Sequence, residues 1–379
     1  MVENTVPRLI AFYLPQFHPI PENDRWWGKG FTEWTNVARA KPLFPGHYQP
    51  QIPADLGFYD LRLAETREAQ AELAEQHGIS AFCYYHYWFR GKRLLERPFQ
   101  EILESGKPDF PFCLCWANES WSRTWTENGQ EILIRQEYSK QDDIDHIRYL
   151  ATAFLDHRYI RYRNKPVFLV YRVSNIPDPL KTTNLWREEA IKLGVGELYL
   201  CRVESGPQEH TNPLAMGFDA AVEFQPDWRF LPRPRKNWIR KLGNRFEIFN
   251  NPLSNLKRFD YQYVVDKSNE KSGVDYKRFS CVTPRWDNTP RRSYNGFVLE
   301  GSSPDQYESW LREKIREAIK EGDKESLVFI NAWNEWAEGN YLEPDLQYGW
   351  SYLEATRAAL ERNGEDRPSE NGFSETGSI

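Results

Sequence analysis

Two glutamates three residues apart, Glu335 and Glu338, sit between tryptophans at the end of an apolar run in Phe329-Ile330-Asn331-Ala332-Trp333-Asn334-Glu335-Trp336-Ala337-Glu338-Gly339. Cleaving or forming a glycosidic bond needs one carboxyl group to give a proton to the departing oxygen and another to serve as base, nucleophile or charge stabiliser. Aromatic rings beside such a pair offer flat apolar faces to the C–H surface of a sugar. Residues three apart in an extended strand face opposite ways, so the two carboxyls share a site only if the chain turns after the strand, and Gly339 suits such a turn. At that spacing mutual repulsion is expected to raise at least one pKa, leaving one protonated and one ionised group. The competing reading is a glutamate pair on a solvated helix face; the position after an apolar run, flanked by Trp333, Asn334 and Trp336, argues against it.

These residues need a frame to hold them. Short apolar runs alternate with amphipathic stretches along the 379 residues, the pattern of repeated βα units on a parallel sheet. The strand expectations are Leu9–Leu14, Ser80–Trp88, Pro111–Trp116, Pro166–Arg172, Leu198–Val203, Ala220–Phe224, Phe279–Thr283 and Leu327–Trp333. The clearest helices are expected at Asp60–His77, Asp142–Leu155, Leu185–Leu193, Pro304–Glu321 and Trp350–Arg362. This count fits an α/β chain folded as a (β/α)8 TIM barrel better than an open doubly wound sheet, because Leu14-Pro15-Gln16 follows the first strand where a dinucleotide fold has a glycine-rich turn. We therefore expect a single catalytic domain over 1–362. It has a long lid after strand 1 (17–59), a basic insertion between strands 6 and 7 (227–277) and a disordered tail at 363–379.

Barrel active sites form at the C-terminal ends of the strands, which makes the polar and aromatic residues there the expected substrate contacts. They are Glu33 and Trp34 on the lid; Tyr85, His86 and Trp88 after strand 2; Trp116, Asn118 and Glu119 after strand 3; Tyr171; Arg202 and Glu204; Glu223; Arg285 and Trp286; and Asn334 and Trp336 beside the catalytic pair. Carboxylates, amides and rings in this mixture suit a neutral polyhydroxylated ligand. The aromatic run Tyr84–Trp88 reads equally as barrel core, His86 as a general base or as a structural histidine, and Trp26-Trp27 as a plug under the lid. Glu119 and Glu204 read as hydroxyl-binding rather than catalytic.

Composition narrows the partners. A formal charge of -6 argues against a general nucleic-acid binder. The exception is the first half of the insertion, where over 229–258 Arg229, Arg233, Arg235, Lys236, Arg240, Lys241, Arg245, Lys257 and Arg258 stand against the single acid Glu247. Trp238, Ile239, Leu242 and Phe246 interleave with them as one apolar helix face. The segment is either a solvated loop or a peripheral contact with an anionic membrane surface or a phosphate-linked acceptor. No signal-peptide-like or membrane-spanning run is present, so the expected location is cytoplasmic. The five cysteines (Cys83, Cys113, Cys115, Cys201, Cys281) fall in apolar runs and read as buried thiols; neither a metal nor another cofactor is expected. A metal hydrolase built on His86, Glu223 and Asp287 would lack any known ligand spacing.

Four segments carry a resemblance: Tyr13-Leu14-Pro15-Gln16-Phe17-His18-Pro19; Trp26 to Val37 (Trp-Trp-Gly-Lys-Gly-Phe-Thr-Glu-Trp-Thr-Asn-Val); Cys115-Trp116-Ala117-Asn118-Glu119; and Trp333 to Pro344. They resemble the WbsX-like proteins, named as glycosyltransferases of bacterial surface-polysaccharide clusters, and the likeness runs from about Arg8 to Arg362. A narrower likeness, resting on Asn334-Glu335-Trp336-Ala337-Glu338-Gly339 and Glu343-Pro344, is to glycoside hydrolase family 99, endo-acting α-mannan enzymes that retain anomeric configuration. That likeness implies that Glu335 deprotonates the sugar's own 2-hydroxyl and Glu338 is general acid, then base. The expected function is glycosyl transfer with retention at an α-glycosidic bond in O-antigen-type surface polysaccharide (lipopolysaccharide) synthesis, from a sugar donor to an oligosaccharide or lipid-linked acceptor. An endo-α-glycoside hydrolase using the same pair, or a noncatalytic glycan-binding barrel, are the alternatives.

Overall fold

The computed structural model describes residues 6–126, 129–231, 255–271 and 273–365. Parallel strands β1 (Arg8–Tyr13), β2 (Ile79–Phe89), β3 (Phe112–Trp116), β4 (Lys165–Val170), β5 (Tyr199–Val203) and β6 (Ala220–Val222) pair in chain order. The seventh barrel position is split at Ser280. Its first half, β7 (Arg278–Phe279), pairs with β6, and its second half, β8 (Cys281–Val282), pairs with β9 (Leu327–Ile330), which in turn pairs with β1. Glu223 N donates to Phe279 O at 2.9 Å and Phe329 N to Ser280 O at 2.8 Å, so the ring of eight positions is bonded through the split. The expected (β/α)8 barrel is the fold.

All eight expected runs became strands, because each is a short apolar stretch buried on both faces, as a strand inside a helix layer must be. Helices α1 (Pro21–Trp27) and α2 (Glu33–Arg39) lie in the segment after β1, and α3 (Ala64–Gln76) closes that connection. The helix layer continues with α4 (Arg97–Ser105), α5 (Lys140–Phe154), α6 (Pro179–Lys192) and α7 (Tyr261–Asn269). A short α8 (Thr289–Arg292), then α9 (Pro304–Lys320) and α10 (Ser351–Glu365), complete it. Side-chain caps start several of them: Ser139 accepts from Asp142 N, Asp178 from Lys181 N and Ser303 from Gln306 N. α4 was not expected, α6 begins before the expected Leu185, and two 3-10 turns, Pro207–Glu209 and Pro213–Met216, stand where a fifth helix would be. α10 runs to Glu365, into the stretch assigned to the tail.

The bore is packed with rings. Phe12 lies 5.7 Å from Tyr85, 5.8 Å from Phe224 and 5.6 Å from Phe329, centroid to centroid. A three-stranded sheet of Lys257–Asp260, Phe297–Glu300 and Trp286–Asp287 braces the loop after β8. The cations Arg233, Arg235, Lys236, Arg240, Lys241 and Arg245, and the apolar Trp238, Ile239, Leu242 and Phe246, lie outside the described residues. Among the described residues no helix is long and apolar enough to cross a membrane, and no group of three or more His, Cys, Asp or Glu could hold a metal ion.

Candidate active site

After β9 the chain folds back on itself. Asn334–Glu335 pairs antiparallel with Asn340–Tyr341 across a 3-10 turn at Trp336–Glu338. Gly339 closes that turn at φ +55°, and a Cβ there would stand 2.8–2.9 Å from Cβ, N and O of Asp287, so only glycine lets the two loops approach so closely. Trp336 stacks on Tyr341 at 3.7 Å and donates Nε1–H to Glu343 at 2.6 Å. Asn334 clamps the hairpin to β1's end: its Oδ1 accepts from Leu14 N at 2.7 Å and its Nδ2 donates to Leu14 O at 3.0 Å. The turn that would let Glu335 and Glu338 share a site is thus present.

One guanidinium ties the glutamates together. Arg291, on α8, donates from Nη2 to Glu335 at 2.8 Å and from Nε to Glu33 at 2.9 Å, and its Nη1 is 2.7 Å from Glu338 Oε1. The side chains of Glu33 and Glu335 are 4% and 8% exposed, that of Glu338 22%. Burial pushes the Glu335 carboxyl up to about 8; Arg291 pulls it back, and Glu338 and Glu33 push it further up. Repulsion between the pair therefore contributes as expected, but loss of water is the larger cause.

Glu33 and Glu335 line a cavity of about 760 Å3 together with Arg291, Arg292, Glu119, Gln16, Asn36, Tyr87, Trp27, Phe31 and Trp121. It opens where the C-terminal ends of β1, β2, β3, β8 and β9 converge. The segment after β1 supplies one wall through Trp27, Phe31, Glu33 and Asn36. A hairpin of Trp121–Thr126 and Gly129–Ile134 supplies another, with Trp121 held edge-on against Tyr87 at 5.1 Å and Trp26 at 5.8 Å. Across from Arg291, Glu119 is paired with Arg172 at 3.0 Å. Tyr171 packs on Tyr85 in the bore under the Arg172 guanidinium.

Many of the other expected contacts are turned away from this cavity. In register across the sheet, His86 aligns with Trp116, Trp116 with Val170 and Val170 with Arg202, and this row faces the helix layer. His86 meets His146 of α5 at 2.9 Å, Trp116 packs on His146 and Trp186, and Arg202 bonds Thr211. Trp88, two residues beyond His86 and so on the same face, donates to Asp142 at 2.9 Å. Burial pushes His86 down to about 3, which keeps it neutral in its aromatic surroundings. Asn118 joins the β3 and β4 loops through Arg172 N and O. Trp34 donates to Tyr59 O at 2.8 Å and lies 5.4 Å from Trp336, seating the segment after β1 on the hairpin that carries Glu335.

Glu204 accepts from Tyr276 at 2.8 Å, and Glu223 is held by Lys271 at 3.2 Å and Arg278 at 3.5 Å, in a buried network behind β5 to β7. Arg285 pairs with Asp345 at 2.7 Å over the Tyr341 ring, and Trp286 stacks on Phe297; both line a smaller cavity of about 230 Å3 behind Gly339. Arg291 and Trp121 were not foreseen. The Pro after Thr289 marks a helix start, but nothing local ties Arg291 to glutamates elsewhere in the chain.

The fold has solved counterparts. The family 99 endo-α-mannosidase of Bacteroides thetaiotaomicron superposes over 96% of this chain and 98% of its own, with TM-score 0.54 and 14% identity. A glycoside hydrolase-like protein matches at TM-score 0.57 and 15% identity over 95% of each chain. In sequence, WxcX proteins of two Xanthomonas campestris pv. campestris strains, B100 and ATCC 33913, are 44% identical over 355 residues, 93% of this chain. The chain spans about half the length of these curated relatives. The profile of the carbohydrate-active family described as glycosyltransferase WbsX matches residues 9–356, and the chain belongs to that family.

Proposed function

We propose that this barrel is a retaining glycosyltransferase that forms an α-glycosidic bond with Glu335 and Glu338. The observation that carries the reading is the bridged pair itself: two glutamates on one short turn, joined by a single guanidinium, beside a cavity walled with tryptophan. Glu335 takes the proton of the donor sugar's 2-hydroxyl as that oxygen attacks C1, while Glu338 gives its proton to the departing oxygen. Glu338 then removes a proton from the acceptor hydroxyl, which opens the 1,2-anhydro ring at C1, and Glu335 returns its proton to O2. Two inversions give net retention. Burial raises the Glu335 carboxyl to about 8, so near neutral pH this group must lose its proton before O2 attacks; once ionised it is a stronger base than an ordinary carboxylate, and turnover is expected to rise as pH approaches 8.

Glu33, Glu119, Asn36 and Arg292 offer hydrogen bonds to sugar hydroxyls from the same cavity, and Trp27 and Trp121 offer apolar faces. The acceptor in this reading is an oligosaccharide, lipid-linked and presented at the cytoplasmic face of a membrane, with the basic insertion on the anionic headgroups. The family description, glycosyltransferase WbsX, supports glycosyl transfer, and this reading assigns that transfer to O-antigen-type surface-polysaccharide synthesis. Endo-hydrolysis of an α-mannan-type chain is the second reading, favoured by the barrel shared with an endo-α-mannosidase. Wild type and Glu338→Gln should be incubated with activated α-glycosides, and with nucleotide-sugars plus a lipid-linked acceptor, and the products followed by mass spectrometry. A product extended by one sugar and reduced about 100- to 10,000-fold in the variant is expected. Water in the product would establish hydrolysis. Tight glycan binding by both proteins without turnover overturns the catalytic reading.

A further inference from the structure

We propose that Arg291 is the positioning residue of this site, locking Glu335 and Glu338 into one geometry and deciding which of them holds the proton, with Glu33 as its anchor. The inference rests on the glutamate pair proposed above. A guanidinium presents its donors in a rigid planar fork, and here Nε, Nη1 and Nη2 each take a different carboxylate. The three partners come from two places far apart in the chain: Glu33 opens α2, and Glu335 and Glu338 stand at either end of the short turn after β9. α2 and that turn also pack through Trp34 on Trp336 at 5.4 Å, and the cation is what joins their carboxylates.

Arg291 is itself held in place. Thr289 donates its N–H and hydroxyl to Asp287 Oδ1 at 3.0 and 2.7 Å, and Gln49 Nε2 donates to Oδ2 at 2.6 Å with His47 Nε2 at 2.7 Å. Phe297 N donates to Asn288 Oδ1 at 2.8 Å. At the far end, Asn36 Nδ2 donates to Glu33 Oε1 at 3.3 Å. The fork is thus fixed from α8 and from α2 before any ligand arrives.

Three carboxyl groups around one cation carry more negative charge than it can balance, and two of them are buried, so the cluster retains a proton. Among the described residues, the other titratable groups around it are Tyr85 and Tyr87 from β2 and Tyr171 after β4, all raised by burial, and Arg292 and Glu119 on the cavity wall. A lysine ammonium, a point charge without the fork, cannot serve three partners in this arrangement.

The deciding measurement is made without substrate. Side-chain carboxyl titrations by carbon-13 NMR would be followed in wild type, Arg291→Gln, Arg291→Lys and Glu33→Gln, with Glu335→Gln for assignment. Removing the guanidinium is expected to raise the Glu335 midpoint by at least about one pH unit, since its stabilising cation is gone. Glu33→Gln removes a like charge and is expected to lower that midpoint, and it keeps the cation should the arginine variants fail to fold. The acid-base limbs of kcat/KM are expected to move with the NMR midpoints, and Arg291→Lys to lower kcat more than it changes KM. An unchanged Glu335 midpoint in the folded variants overturns the inference. A shifted midpoint in a protein whose wild type turns over no glycoside sinks the catalytic reading and leaves the clamp standing.

Discussion

Glu335 couples the candidate chemistry to stability. Its carboxyl titrates at about 8 in the folded chain, above the ordinary 4.5 it recovers on unfolding, because burial disfavours the ionised form. The folded state therefore binds this proton more tightly. Its contribution to stability is complete below about pH 4.5 and is lost as pH rises toward 8. Thermal unfolding of Glu335→Gln is expected to show a flatter fall between pH 5 and 8 than wild type, the two curves separating by on the order of 1–3 kcal/mol across the window. Parallel curves would mean that Glu335 is ionised when folded. The pair was legible because an apolar run, two tryptophans and a glycine single out that place as a strand end followed by a turn. Arg291 was not, since its partner Glu33 is 258 positions away. His86, Trp116 and Arg202 looked like mouth residues because a strand's two faces carry polar and aromatic groups alike, and only the register decides which face looks into the bore.

The short turn after β9 depends on an approach that side chains forbid. Gly339 sits at φ +55°, and the nearest atoms to an added Cβ are the backbone and Cβ of Asp287, which His47, Gln49 and Thr289 hold from the other side. Those atoms cannot swing aside as a flexible side-chain end could. Gly339→Ala is expected to lower stability by about 2–4 kcal/mol and to reduce turnover more than the stability loss explains, because separating the turn from Asp287 also moves Glu338 away from Arg291. Denaturant unfolding and kinetics on the folded fraction would check it; near wild-type stability would show that the loops have slack. The eight strands were readable at this scale because each is a short, mainly apolar run bounded by turn residues. The break of the seventh at Ser280 was not, because it follows from bonds to two different neighbours. α4 was overlooked although Gly106 caps it in the left-handed region, a stop signal the sequence does carry.

At the scale of the whole molecule, charge and fold make separate contributions. The chain is acidic overall, yet Arg233, Arg235, Lys236, Arg240, Lys241 and Arg245 fall within 232–254 with Glu247 as the opposing carboxylate. Near an anionic lipid surface each such cation contributes about 1 kcal/mol, and ionic strength screens that attraction. The chain on either side of the segment is tied down independently: Asp227 pairs with Arg229 at 2.9 Å and Lys271 at 3.1 Å, and Lys257–Asp260 is paired along Phe297–Glu300. Replacing 232–254 with a short Gly/Ser linker should therefore leave the barrel folded while removing the basic surface. Wild type is expected to sediment with vesicles containing anionic phospholipid at low salt, to release as salt is raised, and to ignore neutral vesicles; the shortened protein is expected to stay in solution. Unchanged unfolding of the shortened protein would establish that the barrel is intact. Equal sedimentation of both proteins would move the membrane contact elsewhere on the barrel, and no sedimentation of wild type would leave the insertion as a solvated loop and the acceptor a soluble glycan.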